Sequence, residues 1–167
     1  MRIRPAHLET EALTISQIYT KSWQAAYQGI IPDSYLQSLR GDEWAQRLVD
    51  DNRTVMVLED CTALVGVATI GPGRDAKWQD AGELMSIYLL PTVMHHGYGA
   101  MLLAAAEPQL VAQGFHTIYL WVLAANTSSR HFYEKHGYVE TNDVKVLMIS
   151  GQPLETLCYV KTKTTAK

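Results

Sequence analysis

Cysteine is scarce in this chain. Only Cys61 and Cys158 occur in 167 residues, and neither has a CxxC spacing or a cluster of other thiols and histidines beside it. A disulfide framework and a structural zinc site are thereby excluded, and both cysteines read as ordinary thiols. Long apolar runs are also missing. The run over 101–106 stops at Glu107, far short of the roughly 20 residues that span a bilayer. The opening MRIRPAHLETEAL has arginines but no apolar core of signal-peptide length, so export by that route is not expected and a cytoplasmic location is. Positive charge is not in surplus. Fourteen Lys and Arg against 17 Asp and Glu leave a net charge of -3, and the pI is near 6.0. That balance offers no general attraction to a phosphate backbone or a membrane surface, so neither nucleic acid nor membrane is an expected partner.

What is present suits one domain with a real core, since 47% of residues are hydrophobic. A short edge strand is expected at 3–5, then a helix over 7–28 in which Ala12, Ile15, Ile18, Tyr19 and Ala26 share helical spacing, ended by Gly29. A second helical stretch over 33–49 should split at Gly41. The β-branched runs 54–58 and 63–70 predict an antiparallel hairpin, with a long polar loop after Gly71. A strand over 83–90 stops at Pro91. A helix from Tyr98 to Gln113 should kink or restart at Pro108. A strand over 117–123, a helix over 127–136, strands over 145–149 and 156–160 and a frayed tail over 161–167 complete the chain. The order predicts a single α/β (α+β) domain, 1–167, with helices on the faces of one sheet.

Between the strand ending at Leu90 and the helix from Tyr98 lies Pro91-Thr-Val-Met-His-His-Gly-Tyr-Gly-Ala100. Glycines there let the backbone approach an anion, successive N–H groups can form a nest, and the helix N-terminus adds partial positive charge. A Walker loop is excluded because no Lys-Ser or Lys-Thr follows these glycines. A dinucleotide fingerprint is excluded because Leu102 stands where its third glycine belongs.

The segment resembles the [Q/R]xxGx[G/A] motif of the GNAT superfamily of acetyl-CoA-dependent N-acetyltransferases, with Gly97 and Gly99 as its glycines and Met94 departing from its Gln/Arg position. A second block, Asn126-Thr-Ser-Ser-Arg-His-Phe-Tyr133-Glu-Lys-His-Gly137-Tyr138, is similar to the family's N…A..FYEK.GF segment, and the likeness extends from about Thr54 to Tyr138. The resemblance implies a mostly antiparallel mixed sheet of about seven strands, splayed at the cofactor site and flanked by about four helices. It also implies acetyl-CoA as donor, no metal, and a primary amine of a small molecule or peptide as acceptor, attacked directly in a ternary complex. A non-catalytic acetyl-CoA sensor, or a transferase acting on protein N-termini or lysines, is the alternative. Homodimers are common among relatives.

By the same resemblance, Met94, His95, His96, Gly97, Tyr98, Gly99 and Ala100 hold the pyrophosphate, mainly through backbone, with His96 near a phosphate. Ile87, Tyr88 and Leu89 offer backbone groups to the pantetheine arm, and the Leu89 N–H polarises the thioester carbonyl. Asn126 and Ser129 also lie at the cofactor, Asn126 bonding the arm or capping its helix, two compatible roles. Tyr133 stands where the family has a general acid, or else packs beside the thioester. An alkyl amine with a pKa near 10.4 must lose a proton before attack. Glu83, fourteen residues before Gly97, matches the position of the catalytic glutamate of the histone acetyltransferase branch. It is otherwise a solvated strand-end carboxylate, with a water chain or backbone carbonyl as base. Trp23 and Tyr27, at i and i+4, either wall the acceptor cleft or belong to the core.

Overall fold

A computed structural model describes residues 1–50, 53–61 and 63–163. Strand β1 (Arg2–Pro5) leads into helix α1 (Leu8–Ala26), followed by two short helices, α2 (Asp33–Ser38) and α3 (Ala45–Asp50). Strands β2 (Thr54–Asp60), β3 (Ala63–Pro72) and β4 (Gly82–Leu89) come next, then α4 (Tyr98–Ala112), β5 (Thr117–Leu123), α5 (Thr127–Lys135), β6 (Val139–Ile149) and β7 (Gln152–Thr162). All seven strands form one sheet in the order β1-β2-β3-β4-β5-β7-β6.

The uninterrupted apolar run of β2 follows from covering both faces of the sheet. Met56 and Leu58 join Leu102, Leu103 and Ala106 of α4 on one side. Val55 and Val57 join Ile15, Ile18 and Tyr19 of α1 on the other. Every pairing is antiparallel except β4 with β5, which are parallel and in register only at Gly82↔Ile118 and Glu83↔Tyr119. Beyond that point the two central strands part. β4 also slips register against β3 between Thr69 and Ile70, a bulge that leaves Met85 without a partner. Ser86 and Tyr88 thereby face α1 while Ile87 and Leu89 face α4.

As expected, the 33–49 stretch splits around Gly41, into α2 and α3, which brings the helices among the described residues to five. Three expectations need correction. α4 runs through Pro108 without restarting. Leu102, Leu103, Ala106 and Leu110 are all buried on either side of it, and that packing outweighs the lost backbone bond. β6 and β7 are each 11 residues long, well beyond 145–149 and 156–160. Thr141, Asn142 and Asp143, outside the expected 145–149 strand, lie within an edge strand whose hairpin turns on Ser150 and Gly151, both at positive φ. Finally, Lys161 and Thr162 belong to β7, and Lys161 and Lys163 pair with the buried Glu107, so the 161–163 part of the tail is tied down. Residues 164–167 of that expected tail, and Thr62 of the β2–β3 turn, lie outside the described residues.

Candidate active site

The parting of β4 and β5 opens the sheet at its centre, and the sequence-predicted groups gather around the opening. Leu90 N donates to Val65 O at 2.8 Å. The antiparallel alternation then pairs Tyr88 with Val67 and turns the N–H groups of Ile87 and Leu89 away from β3, toward the edge that β5 has left. The Leu89 carbonyl, on the same edge, accepts from the buried Ser22 Oγ at 2.5 Å, which ties that peptide to α1.

The glycine turn lies just beyond. His95 and Gly97 both have left-handed backbone, at φ 63° and 81°, and Gly97 is the N-cap of α4. The first amide of α4 to find a main-chain partner is Met101, which donates to Gly97 O. No side chain caps this end and no acidic residue lies in its first turn, so the N–H groups of Tyr98, Gly99 and Ala100 form an anion-receptive row. A Cβ at Gly97 would meet nothing within 4 Å, so the space in front of the turn is open. The His96 Nδ1 lies 2.7 Å from Met94 O, and the ring stacks on Tyr98 with centroids 6.0 Å apart. A carbonyl can only accept, so Nδ1 carries the proton and Nε2 is left as the acceptor nitrogen.

From the other side α5 approaches. Asn126 caps it by accepting from Ser129 N at 3.1 Å, which establishes the capping role. Tyr133 packs between Phe132 and Tyr138 in edge-on contacts, with centroids 5.2 and 5.7 Å away. Burial, and behind it the nearby Tyr27 phenol, push the Tyr133 phenol well above its usual range. Trp23 and Tyr27 meet edge to face at 5.0 Å, and Trp23 Nε1 donates to the Tyr88 hydroxyl at 3.0 Å. One aromatic cluster thus joins α1, β4 and α5 at the opening. The Tyr88 link was not legible in the sequence, because no spacing rule relates residues 65 positions apart.

Glu83 is placed differently from a solvated carboxylate. It is 5% exposed. Arg74 Nε and Nη2 donate to it at 2.9 and 2.7 Å, and the Tyr119 hydroxyl donates at 2.9 Å. Burial alone would raise its pKa, but the hydrogen bonds and charge of Arg74, with Tyr119 behind them, hold it below the usual carboxylate range. Arg74 and Tyr119 were not singled out by the sequence. The group faces a cavity of about 310 Å³ on the α1 side of the sheet, where Met85, Trp121, Lys145 and Leu147 also contribute.

Residues 14–138 match the family described as Acetyltransferase (GNAT) family. An N-acetyltransferase of Bacillus subtilis, YuaI, is 35% identical over 131 residues, covering 75% of this chain and 73% of that protein. A spermidine N(1)-acetyltransferase of Thermoplasma acidophilum is 25% identical over 154 residues, covering 86% and 92%. The crystal structure of a PaiA N-acetyltransferase from Thermoplasma acidophilum in complex with coenzyme A superposes with a TM-score of 0.72 over 96% of this chain and 98% of that one, at 22% identity. With the split sheet, the glycine turn and this match over most of its length, the chain belongs to the GNAT family of acetyltransferases.

Proposed function

We propose that this chain transfers the acetyl group of acetyl-CoA to a primary amine by direct attack with both substrates bound. The observation that carries the reading is the pair of free backbone donor groups on either side of the turn, the Leu89 N–H at the open edge of β4 and the Tyr98–Ala100 amides at the N-terminus of α4. The fit is a physical one: an open, uncapped row of donors suits a pyrophosphate, and an unpaired strand edge suits an amide-bearing arm. Bound there, acetyl-CoA supplies a thioester carbonyl and a thiolate leaving group. The Leu89 N–H then faces the oxygen on which charge develops as the amine attacks. Tyr133 is a neutral phenol at pH 7 and has a proton to give the departing sulfur, while burial, by raising its pKa, makes it a weaker acid than a free phenol. Both Glu83 oxygens are already engaged. That favours Glu83 as the group that orients Arg74 and Tyr119, with a water relay taking the proton of the amine. A relative named for spermidine acetylation is in keeping with an amine acceptor.

The test is steady-state kinetics of thiol release over a panel of amines. Intersecting patterns with no acetylated enzyme by mass spectrometry are expected, and ping-pong behaviour would overturn direct attack. Tight acetyl-CoA binding without thiol release for any amine would favour a sensor instead.

We also infer a homodimer through β6. Val144, Val146 and Met148 alternate on one face of this edge strand and are 52, 56 and 65% exposed. A two-fold axis through Val146 would set Val144 against Met148 and Lys145 against Leu147, with no like charges opposed.

A further inference from the structure

Lys145 occupies the cavity beside Glu83 in a way the acetyl-transfer chemistry does not use. It stands on β6, opposite Thr156 of β7, and reaches across β7 to Trp121 of β5. Its ammonium lies 4.5 Å from the centroid of the Trp121 ring and forms an ion pair with Asp75. The Asp75 side chain is 12% exposed, whereas that of Lys145 is 49% exposed. Asp75 is also anchored independently, because its Oδ1 accepts from Lys77 N at 3.0 Å. The aromatic face and the carboxylate would therefore remain in place if Lys145 swung into solvent. Together they form a seat for an alkylammonium, an anion on one side and a π-face on the other, flanked by the apolar Met85 and Leu147. Its present occupant is an aminobutyl chain belonging to the protein.

The seat is placed for a long acceptor. β4 leads from the cavity, at Met85, to the open edge at Leu89, about 13 Å at strand rise. That is the reach of an extended polyamine and exceeds that of a simple alkylamine. We propose that the acceptor is a polyamine whose distal ammonium displaces Lys145 from Trp121 and Asp75, so that Lys145 is a built-in competitor for the acceptor site. This rests on the transferase reading for which end of the acceptor reacts, but the seat itself is a statement about binding and is measurable without turnover.

The experiment is calorimetric titration of the CoA-saturated protein with spermidine, butylamine and ε-aminocaproate, for the native chain, Lys145→Met and Asp75→Asn. Asparagine keeps the acceptor that caps Lys77 N, so the local fold is preserved. Spermidine should bind at least about tenfold more tightly than butylamine, Lys145→Met should tighten spermidine by about three- to tenfold, and Asp75→Asn should weaken it by about tenfold, the scale of an ammonium held on an aromatic face and a carboxylate. Equal affinity for spermidine and butylamine, or weaker spermidine binding by Lys145→Met, overturns the proposal. So does preferential binding of ε-aminocaproate that is lost in Lys145→Met, which would make Lys145 an anion receptor. Acetylated product is scored separately by mass spectrometry. Its absence with the spermidine pattern intact overturns the transferase reading and supports the seat.

Discussion

Tyr133 is packed among Phe132, Tyr138 and the Tyr27 phenol, and its value as a proton donor depends on staying neutral there. Phenylalanine keeps those ring contacts and removes only the hydroxyl. If the hydroxyl protonates the leaving sulfur, Tyr133→Phe should lower kcat by about 10² to 10⁴. Equilibrium binding of acetyl-CoA should remain within a factor of about two, since pyrophosphate contacts are untouched. Glu83 calls for a different measurement. Its carboxyl is held below the ordinary range in the folded chain, so its stabilising effect is complete above the unfolded carboxylate pKa of about 4.3 and disappears as pH falls through the lower folded value. Glu83→Gln should therefore cost about 1–3 kcal/mol at neutral pH by denaturant unfolding. The gap from the native chain should narrow steadily below about pH 4. Its kcat should fall by less than about tenfold, where loss of a general base would cost 10² or more.

At the level of elements, the glycine turn is where local backbone and function coincide. Gly97 sits at φ 81° with open space beside it, so alanine there would cost conformational strain without a clash. Gly97→Ala should lower stability by about 1–2 kcal/mol and raise the KM for acetyl-CoA severalfold, because the strained cap displaces the amides of Tyr98 to Ala100. This turn was legible in the sequence. Two glycines between an apolar strand and a helix have few other uses, and a lysine or a third glycine would have been visible. β2 and β3 were legible for a similar reason, as β-branched runs buried on both faces. The first half of β6 was not, because its polar residues are tolerated only at a sheet edge. Equally hidden was the Arg74–Glu83–Tyr119 group. Its members meet through the register of β4 and β5 and the return of a loop, and none of these leaves a period in the sequence.

For the molecule as a whole, one face of β6 gathers three exposed large hydrophobic side chains along a single strand. Val144, Val146 and Met148 have no helix over them, and the strand they occupy has an unpaired edge. If copies associate there, Val146→Lys at the centre of the two-fold should place two ammonium groups face to face and shift sedimentation to the monomer, with monomer stability changed by less than about 0.5 kcal/mol.

The parted strands at the middle of the sheet also have a consequence for solvent exchange. Interior strands are ordinarily the slowest parts of a protein to trade their amide protons for deuterium. Here Ile87 and Leu89 lie in the fourth of seven strands, yet their N–H groups have no ladder partner on the β5 side. Their amides should exchange orders of magnitude faster than that of Tyr88 between them, which β3 holds. Addition of acetyl-CoA should slow Ile87 and Leu89 while leaving Tyr88 unchanged. Protection that alternated in this way, residue by residue along one buried strand, would mark the place where the sheet awaits its missing neighbour.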